Sequence, residues 1–144
     1  MSVDGAVRSL LDRFGDKVVA VSLFGSSARG EAGEKSDIDV FIVVRDIPWG
    51  LGRRRELYDA VYRGLSGGVD VTVIDVDGGE LLNKDLEVTP LLLNIAWDSR
   101  ILYDPEGRLS RLFMEVRKAV EREGLERYRT PDGKYGWKRR PNPP

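Results

Sequence analysis

Two aspartates separated by one residue, Asp37 and Asp39, stand just before the apolar run Val40-Phe41-Ile42-Val43-Val44. Residues two apart on a strand point to one face, so the two carboxylates converge, roughly 6.6 Å apart along the backbone. Aspartate is disfavoured in strands and like charges repel, so the pair is destabilising unless a cation neutralises it. A third acid, Asp70, holds the equivalent place before Val71-Thr72-Val73-Ile74. If those strands are neighbours, the three acids share a face, and clustered oxygen donors favour hard divalent ions such as Mg²⁺ or Mn²⁺. Two such ions about 4 Å apart clamp the attacking and leaving oxygens of a phosphoryl or nucleotidyl transfer.

Upstream, Gly25-Ser26-Ser27-Ala28-Arg29 follows directly on the apolar run Val18–Phe24. A glycine at such a strand end lets the backbone approach a ligand closely, and free amides at a following turn or helix start accept phosphate. Ser26 and Ser27 add hydroxyls, and Arg29 adds a forked cation matched to phosphate oxygens. The spacing predicts a triphosphate cradle beside a metal site.

Composition narrows the alternatives. The chain of 144 residues has no His and no Cys, so Ser-His-Asp and Cys-His catalysis, disulfides and His/Cys zinc sites are excluded within it. Lys and Arg total 23 against 24 Asp and Glu, for a net charge of −1. That balance hides a split, because residues 127–144 carry six basic side chains and one acidic one. No apolar stretch reaches the ~20 residues of a membrane span and no signal-like leader opens the chain, so a soluble, cytoplasmic protein is expected. The length fits a single domain, read as a domain over 1–126 and a basic C-terminal tail over 127–144.

The elements that must position these residues follow from periodicity. Val3, Val7, Leu10, Leu11 and Phe14 predict an opening helix stopped by Gly15. Strands are predicted over 18–24, 37–44 and 69–74, with a helix between the last two that opens at Pro48 and stops at Gly67-Gly68. A helix over 80–96, interrupted near Pro90, should precede an edge strand at 100–103. Asp104-Pro105 predicts an N-cap and N1 proline for a last helix buried through Leu109, Leu112, Phe113, Val116 and Val120. The expected fold class is α/β (α+β), a small mixed β-sheet flanked by helices.

Other motifs read as structural. Asp75-Val76-Asp77 before Gly78-Gly79 predicts a turn, and Gly25, Gly30 and Gly33 do not make a G-x-G-x-x-G fingerprint. Arg53-Arg54-Arg55 and the run from Lys134 to Arg140 could meet nucleic acid by charge and stacking. Solvated faces are the commoner use of such runs, and the acidic body of the chain argues the same way.

Gly25-Ser26, ten residues, then Asp37-x-Asp39 resembles the signature of the DNA polymerase β superfamily of nucleotidyltransferases, with Asp70 in the place of its third carboxylate. The fuller Gly25-Ser26-Ser27-Ala28-Arg29-Gly30 with Ser36-Asp37-Ile38-Asp39 is similar to the minimal nucleotidyltransferase (MNT) branch, over about residues 18–75. The segments at Trp97–Tyr103 and Gly133–Trp137 look like archaeal members. The resemblance implies a polymerase-β-like fold and transfer of AMP from ATP to a hydroxyl with two Mg²⁺ ions, Mn²⁺ being the alternative. It also implies that Gly25 and Ser26 hold the triphosphate and that Asp37 and Asp39 carry both metals. Asp70 would assist one metal and activate the acceptor hydroxyl. Many MNT proteins act as antitoxins by adenylylating a tyrosine of an all-helical HEPN toxin, which makes such a protein the expected partner. Transfer to RNA or a small molecule, and toxin binding without catalysis, are the rival expectations.

Overall fold

In the central strand β1 (Val18–Phe24) every residue is buried, Ser22 included. Such a run forms where a strand is covered on both faces, and β1 lies inside a sheet of order β3 (Val71–Asp77), β2 (Ile38–Val44), β1, β4 (Arg100–Tyr103). The structure is a computed structural model describing residues 3–29, 37–65, 69–81 and 89–141, with Ser26, Ser27, Glu80 and Leu81 described in backbone only. Motif residues Gly30–Ser36, the helix stop at Gly67-Gly68 and the span 82–88 lie outside the described residues, as do the hydroxyls of Ser26 and Ser27.

Before β1 come α1 (Asp4–Phe14) and a short 3-10 turn at Gly15–Lys17. After it, α2 (Gly25–Ala28) leads towards β2 (Ile38–Val44), which pairs antiparallel with β1 from Val18↔Val44 to Phe24↔Asp39. The helix α3 (Leu51–Gly64) then crosses over to β3 (Val71–Asp77), parallel to β2 in the register Ile38↔Val71 to Val44↔Asp77. The sheet is therefore mixed, as the alternation of strand and helix patterns predicted.

The alternating side chains of β2 divide the core. Ile38, Val40, Ile42 and Val44 face α1 and α3 with Leu10, Leu57 and Val61. Phe41 and Val43 face the other way, onto α5 (Pro90–Asp98) and α6 (Arg108–Arg122). The stripe predicted for α6 is present: Leu109, Phe113, Val116 and Val120 are buried, and Phe113 lies 6.5 Å from Phe41 between ring centroids. Glycines make α1 and α3 close neighbours, since a Cβ on Gly5 would collide with the backbone of Gly64.

Four expectations are corrected. First, Asp75 and Asp77 are strand residues rather than a turn; β3 runs through both and a short helix, α4 (Gly78–Leu81), follows. They sit on the α3 side of the sheet, where Arg53 donates from Nε to Asp75 Oδ2 and from Nη1 to Asp77 Oδ1, both at 2.7 Å. Arg54 Nε donates to Asp75 Oδ1 at 2.7 Å, so two members of the arginine run read as solvated are ion-paired, Arg53 with its side chain only 1% exposed. Second, Pro90 opens a helix instead of interrupting one: it sits at the start of α5 behind Thr89, whose hydroxyl accepts from the Leu92 N–H at 3.2 Å. Third, α6 starts at Arg108 behind Gly107 (φ 68°), and Asp104 caps it across a turn, accepting from the N–H groups of Leu109 (3.1 Å) and Ser110 (2.9 Å).

Fourth, the segment read as a tail holds an antiparallel hairpin of β5 (Leu125–Arg129) and β6 (Tyr135–Arg139). It is fastened to α5 by Trp137, whose indole N–H donates to Asn94 Oδ1 at 2.8 Å and whose ring meets Trp97 edge-on at 5.4 Å. The edge strand β4 (Arg100–Tyr103) is present, antiparallel to β1.

Candidate active site

The acid pair stands where β2 emerges from the core. Ile38 and Val40 point into the α1/α3 layer, so Asp37 and Asp39 point to the opposite face beyond Phe41. Asp37 is exposed and Asp39 half-buried. The parallel register sets Asp70 level with Asp37 and Thr72 level with Asp39, and the Ile38 N–H donates to the Asp70 carbonyl at 2.8 Å. Asp70 is exposed on the same face. The neighbourhood of β2 and β3 that the shared face required is therefore present.

Gly25 comes next to this pair from the other side. Phe24 is registered with Asp39, and Gly25 turns with φ 69°, a left-handed conformation that glycine alone adopts without penalty. A Cβ here would collide with Asp39 Oδ2, so the glycine is required twice, by conformation and by space. Loss of water on burial pushes the Asp39 carboxyl above the ordinary value, and the charge of Asp37 pushes it further. A hydrogen bond from Thr72 and the charge of Arg29 offset part of this rise.

Among the described residues no Lys or Arg makes an ion pair with Asp37, Asp39 or Asp70, and no three acidic side chains enclose a common point as a metal site would. The donors brought together are a pair, Asp37 and Asp39, with Asp70 flanking on the next strand. A pair of oxygen donors, in which burial and the charge of Asp37 raise the proton affinity of Asp39, fits a hard divalent cation by charge and by donor type.

Arg29 closes the α2 turn, its N–H bonded to the Gly25 carbonyl at 3.2 Å. Its guanidinium acts on the charge of Asp39 and also pairs with Asp98, Nη1 to Oδ2 at 2.8 Å. The acids near it in sequence, Glu31 and Glu34, lie outside the described residues. Sequence reasoning missed Thr72, Asp98, Arg127 and Tyr135, all of which touch this region. Only Thr72 had a legible signal, two residues beyond Asp70 on the face that Asp70 shares; Asp98 meets Arg29 across 69 positions of chain, which no local pattern encodes.

A mixed sheet with α2 following its first strand, a close glycine, and paired aspartates at the start of the second defines a polymerase-β-like nucleotidyl-transfer fold. The nucleotidyltransferase domain family model matches residues 3–103, and the chain belongs to that family. It is a nucleotidyltransferase. A Methanocaldococcus jannaschii protein bearing the name "putative protein adenylyltransferase" is 27% identical over 122 residues, covering 83% of this chain and 82% of its own. A second protein of that organism and name is 54% identical over 33 residues, 23% of this chain and 33% of its own.

Solved structures share the fold. A chain of a toxin-antitoxin crystal structure with AMP-PNP superposes with a TM-score of 0.60 at 18% identity, covering 85% of this chain and 89% of its own. A chain from the complex of the tri-AMPylated Shewanella oneidensis HEPN toxin with MNT antitoxin gives 0.53 at 16% identity, covering 83% of each. No helix among the described residues is long and apolar enough to cross a membrane.

Proposed function

We propose that this nucleotidyltransferase moves AMP from ATP to a protein hydroxyl, a tyrosine of a HEPN-type helical toxin, in the cytoplasm. The observation that carries the site is the Asp37/Asp39 pair, with Asp39 pressed against Gly25 and neither acid in an ion pair with a lysine or arginine among the described residues. Such a pair opposes folding at neutral pH and is explained by a bound cation. Support for the acceptor comes from the name of the M. jannaschii relative and from the toxin-antitoxin complexes that share the fold.

In this reading Asp37 and Asp39 hold two Mg²⁺ ions, Mn²⁺ being able to replace them, and Asp70 assists one. When bound, the ions supply positive charge at the α-phosphate and the leaving pyrophosphate. Gly25, Ser26, Ser27 and Arg29 hold the triphosphate: Gly25 lets the turn come close beside Asp39, the serines offer hydroxyls, and Arg29 offers fixed positive charge. Asp70 accepts the proton of the acceptor hydroxyl. The hydroxyl oxygen then bonds to the α-phosphorus as the α–β phosphoanhydride bond breaks, and pyrophosphate leaves. The catalytic residues lie within 1–126, and the basic segment 127–144 packs beside them through the β5–β6 hairpin.

Nucleic acid as acceptor is the weaker reading, because Arg53 and Arg54 of the basic run are consumed by Asp75 and Asp77. The deciding experiment incubates the chain with ATP labelled at the α-phosphate, Mg²⁺, a HEPN-type protein and RNA, then maps the label by mass spectrometry. Label on a tyrosine of the helical protein supports the proposal. Label on RNA with an unmodified protein overturns the acceptor, and neutralisation of the toxin with no label anywhere overturns catalysis.

A further inference from the structure

One buried carboxylate joins the turn after β1 to the C-terminal hairpin. Asp98, the last residue of α5, has a side chain 7% exposed and receives two guanidinium groups. Arg29 Nη1 donates to Oδ2 at 2.8 Å, while Arg127 is bidentate, Nη1 to Oδ1 at 2.8 Å and Nη2 to Oδ2 at 3.1 Å. The Tyr135 ring of β6 stacks against both, its centroid 4.8 Å from the Arg29 guanidinium carbon and 3.6 Å from that of Arg127. Arg129 stands 5.7 Å from the same ring.

A bidentate arginine already answers the charge of a buried carboxylate. Arg127 supplies that for Asp98, so the second cation is in excess of what burial demands. Its effect is on Arg29: the carboxylate fixes one edge of the guanidinium and the ring fixes its plane, which limits how far this long side chain swings. The cluster keeps net positive charge, and Arg29 closes at 3.2 Å the α2 turn that Gly25 opens against Asp39. A cationic wall thus stands beside an anionic floor. A magnesium-nucleoside triphosphate has the matching halves, a cation for the floor and phosphate oxygens for the wall.

We infer that Asp98, Arg127 and Tyr135 are positioning residues that hold Arg29 toward the triphosphate, so that the β5–β6 hairpin, beyond the matched residues 3–103, is a wall of the nucleotide site. This inference rests on the nucleotidyl-transfer reading of Asp37 and Asp39. It assigns to the basic C-terminal segment a role in ATP affinity instead of in contacts with nucleic acid.

The test is calorimetric titration of the full chain with Mg·ATP, paired with steady-state AMP transfer. Asp98→Asn and Tyr135→Ala should each raise Kd and KM for Mg·ATP by about tenfold, with kcat changed no more than about twofold, the pattern of lost ground-state binding. Tyr135→Phe, which keeps the ring, should recover most of that loss. Because Asp98 acts through Arg29, the double variant with Arg29→Ala should bind no more weakly than Arg29→Ala alone.

If Asp98→Asn unfolds, as thermal melting would reveal, the Tyr135→Ala and Tyr135→Phe pair decides. Wild-type affinity in Asp98→Asn and Tyr135→Ala, with binding lost in Asp39→Asn, overturns the hairpin's role while leaving the nucleotidyl-transfer reading intact. Fully additive losses with Arg29→Ala overturn it as well. No Mg·ATP binding by the wild-type chain overturns both.

Discussion

Asp75 and Asp77, at the far end of β3, are ion-paired with arginines of α3; Asp37, Asp39 and Asp70, at the near end of β2 and β3 and on the other face of the sheet, make no ion pair among the described residues, and only the charge of Arg29 acts on Asp39. Both groups are acids spaced by two on or beside strands, and local sequence scarcely separates them. Their surroundings do. Burial drives the Asp75 carboxyl up, but hydrogen bonds from Arg54 and Arg53 outweigh it and hold the group below its ordinary value. Arg53 has the matching displacement: burial opposes its charge, and the bonds to Asp75 and Asp77 more than restore it. Asp39 is displaced the opposite way by burial and by Asp37. An acid cluster answered inside the fold is part of the fold. One left unanswered is available for a ligand.

The comparison breaks most sharply on Asp39→Asn and Asp37→Asn. Removing the charge that would hold the reacting phosphate's counter-ions should lower AMP transfer by about 10³-fold or more. Thermal midpoints should stay level or rise, since a repulsion is removed. Transfer at the wild-type rate would refute the site. Asp70→Asn should cost less, on the order of 10²-fold, the low end for loss of a general base, because the flanking carboxylate is not one of the paired charges.

The far cluster should respond in the other currency, stability. Arg53→Met keeps the length of the stem but leaves Asp75 buried with only the exposed Arg54 as partner, and should destabilise by about 3–5 kcal/mol in urea unfolding. The molecules that remain folded should bind Mg·ATP as the wild type does. Lost nucleotide affinity in the folded fraction would dissolve the distinction between the two clusters.

Much of this was legible in the sequence, for stated physical reasons. The Val18–Phe24 strand and the α6 stripe follow from burial period alone. Asp37, Asp39 and Gly25 stood out because acids before an apolar run and a glycine directly after one break the pattern of a buried strand, and the structure brings Gly25 against Asp39. Asp75 and Asp77 were misread because Asp-x-Asp before Gly-Gly has the composition of a turn, and only the arginines of α3, more than twenty positions upstream, make it tolerable as strand. Arg53 itself sits in a run of three arginines, where nothing local marks one as buried. The hairpin was read as a tail because its anchors, Trp137 on Asn94 and Arg127 on Asp98, are long-range pairs.

A smaller effect is expected at the glycine that touches the near cluster. Gly25→Ala places a Cβ in a left-handed conformation at a cost of roughly 1–2 kcal/mol, and the same methyl displaces the Asp39 carboxylate. Stability and transfer should therefore fall together. The double variant Gly25→Ala/Asp39→Ala should lose part of the stability penalty, because the collision partner is gone while the backbone strain remains. A penalty unchanged in the double variant would assign all of it to φ and none to contact.

The smallest effect is the pH dependence, where the two clusters carry opposite signs. For Asp75 the folded value lies below the ordinary 3.8, so its contribution to stability is complete above 3.8 and is lost as pH falls through the lower folded value. For Asp39 the folded value lies above 3.8, so ionisation weighs against the folded state, and stability recovers as pH falls through that raised value. Urea midpoints measured from neutral pH downward should thus carry a small rise from Asp39 first and a loss from Asp75 later. Asp39→Asn should remove the rise and keep the later loss; Asp75→Asn should do the reverse. Saturating Mg²⁺ should also suppress the rise, because a bound cation removes the reason for the carboxyl to hold its proton. A rise that persists in Asp39→Asn would place its origin on another acid and take away the electrostatic argument for the metal.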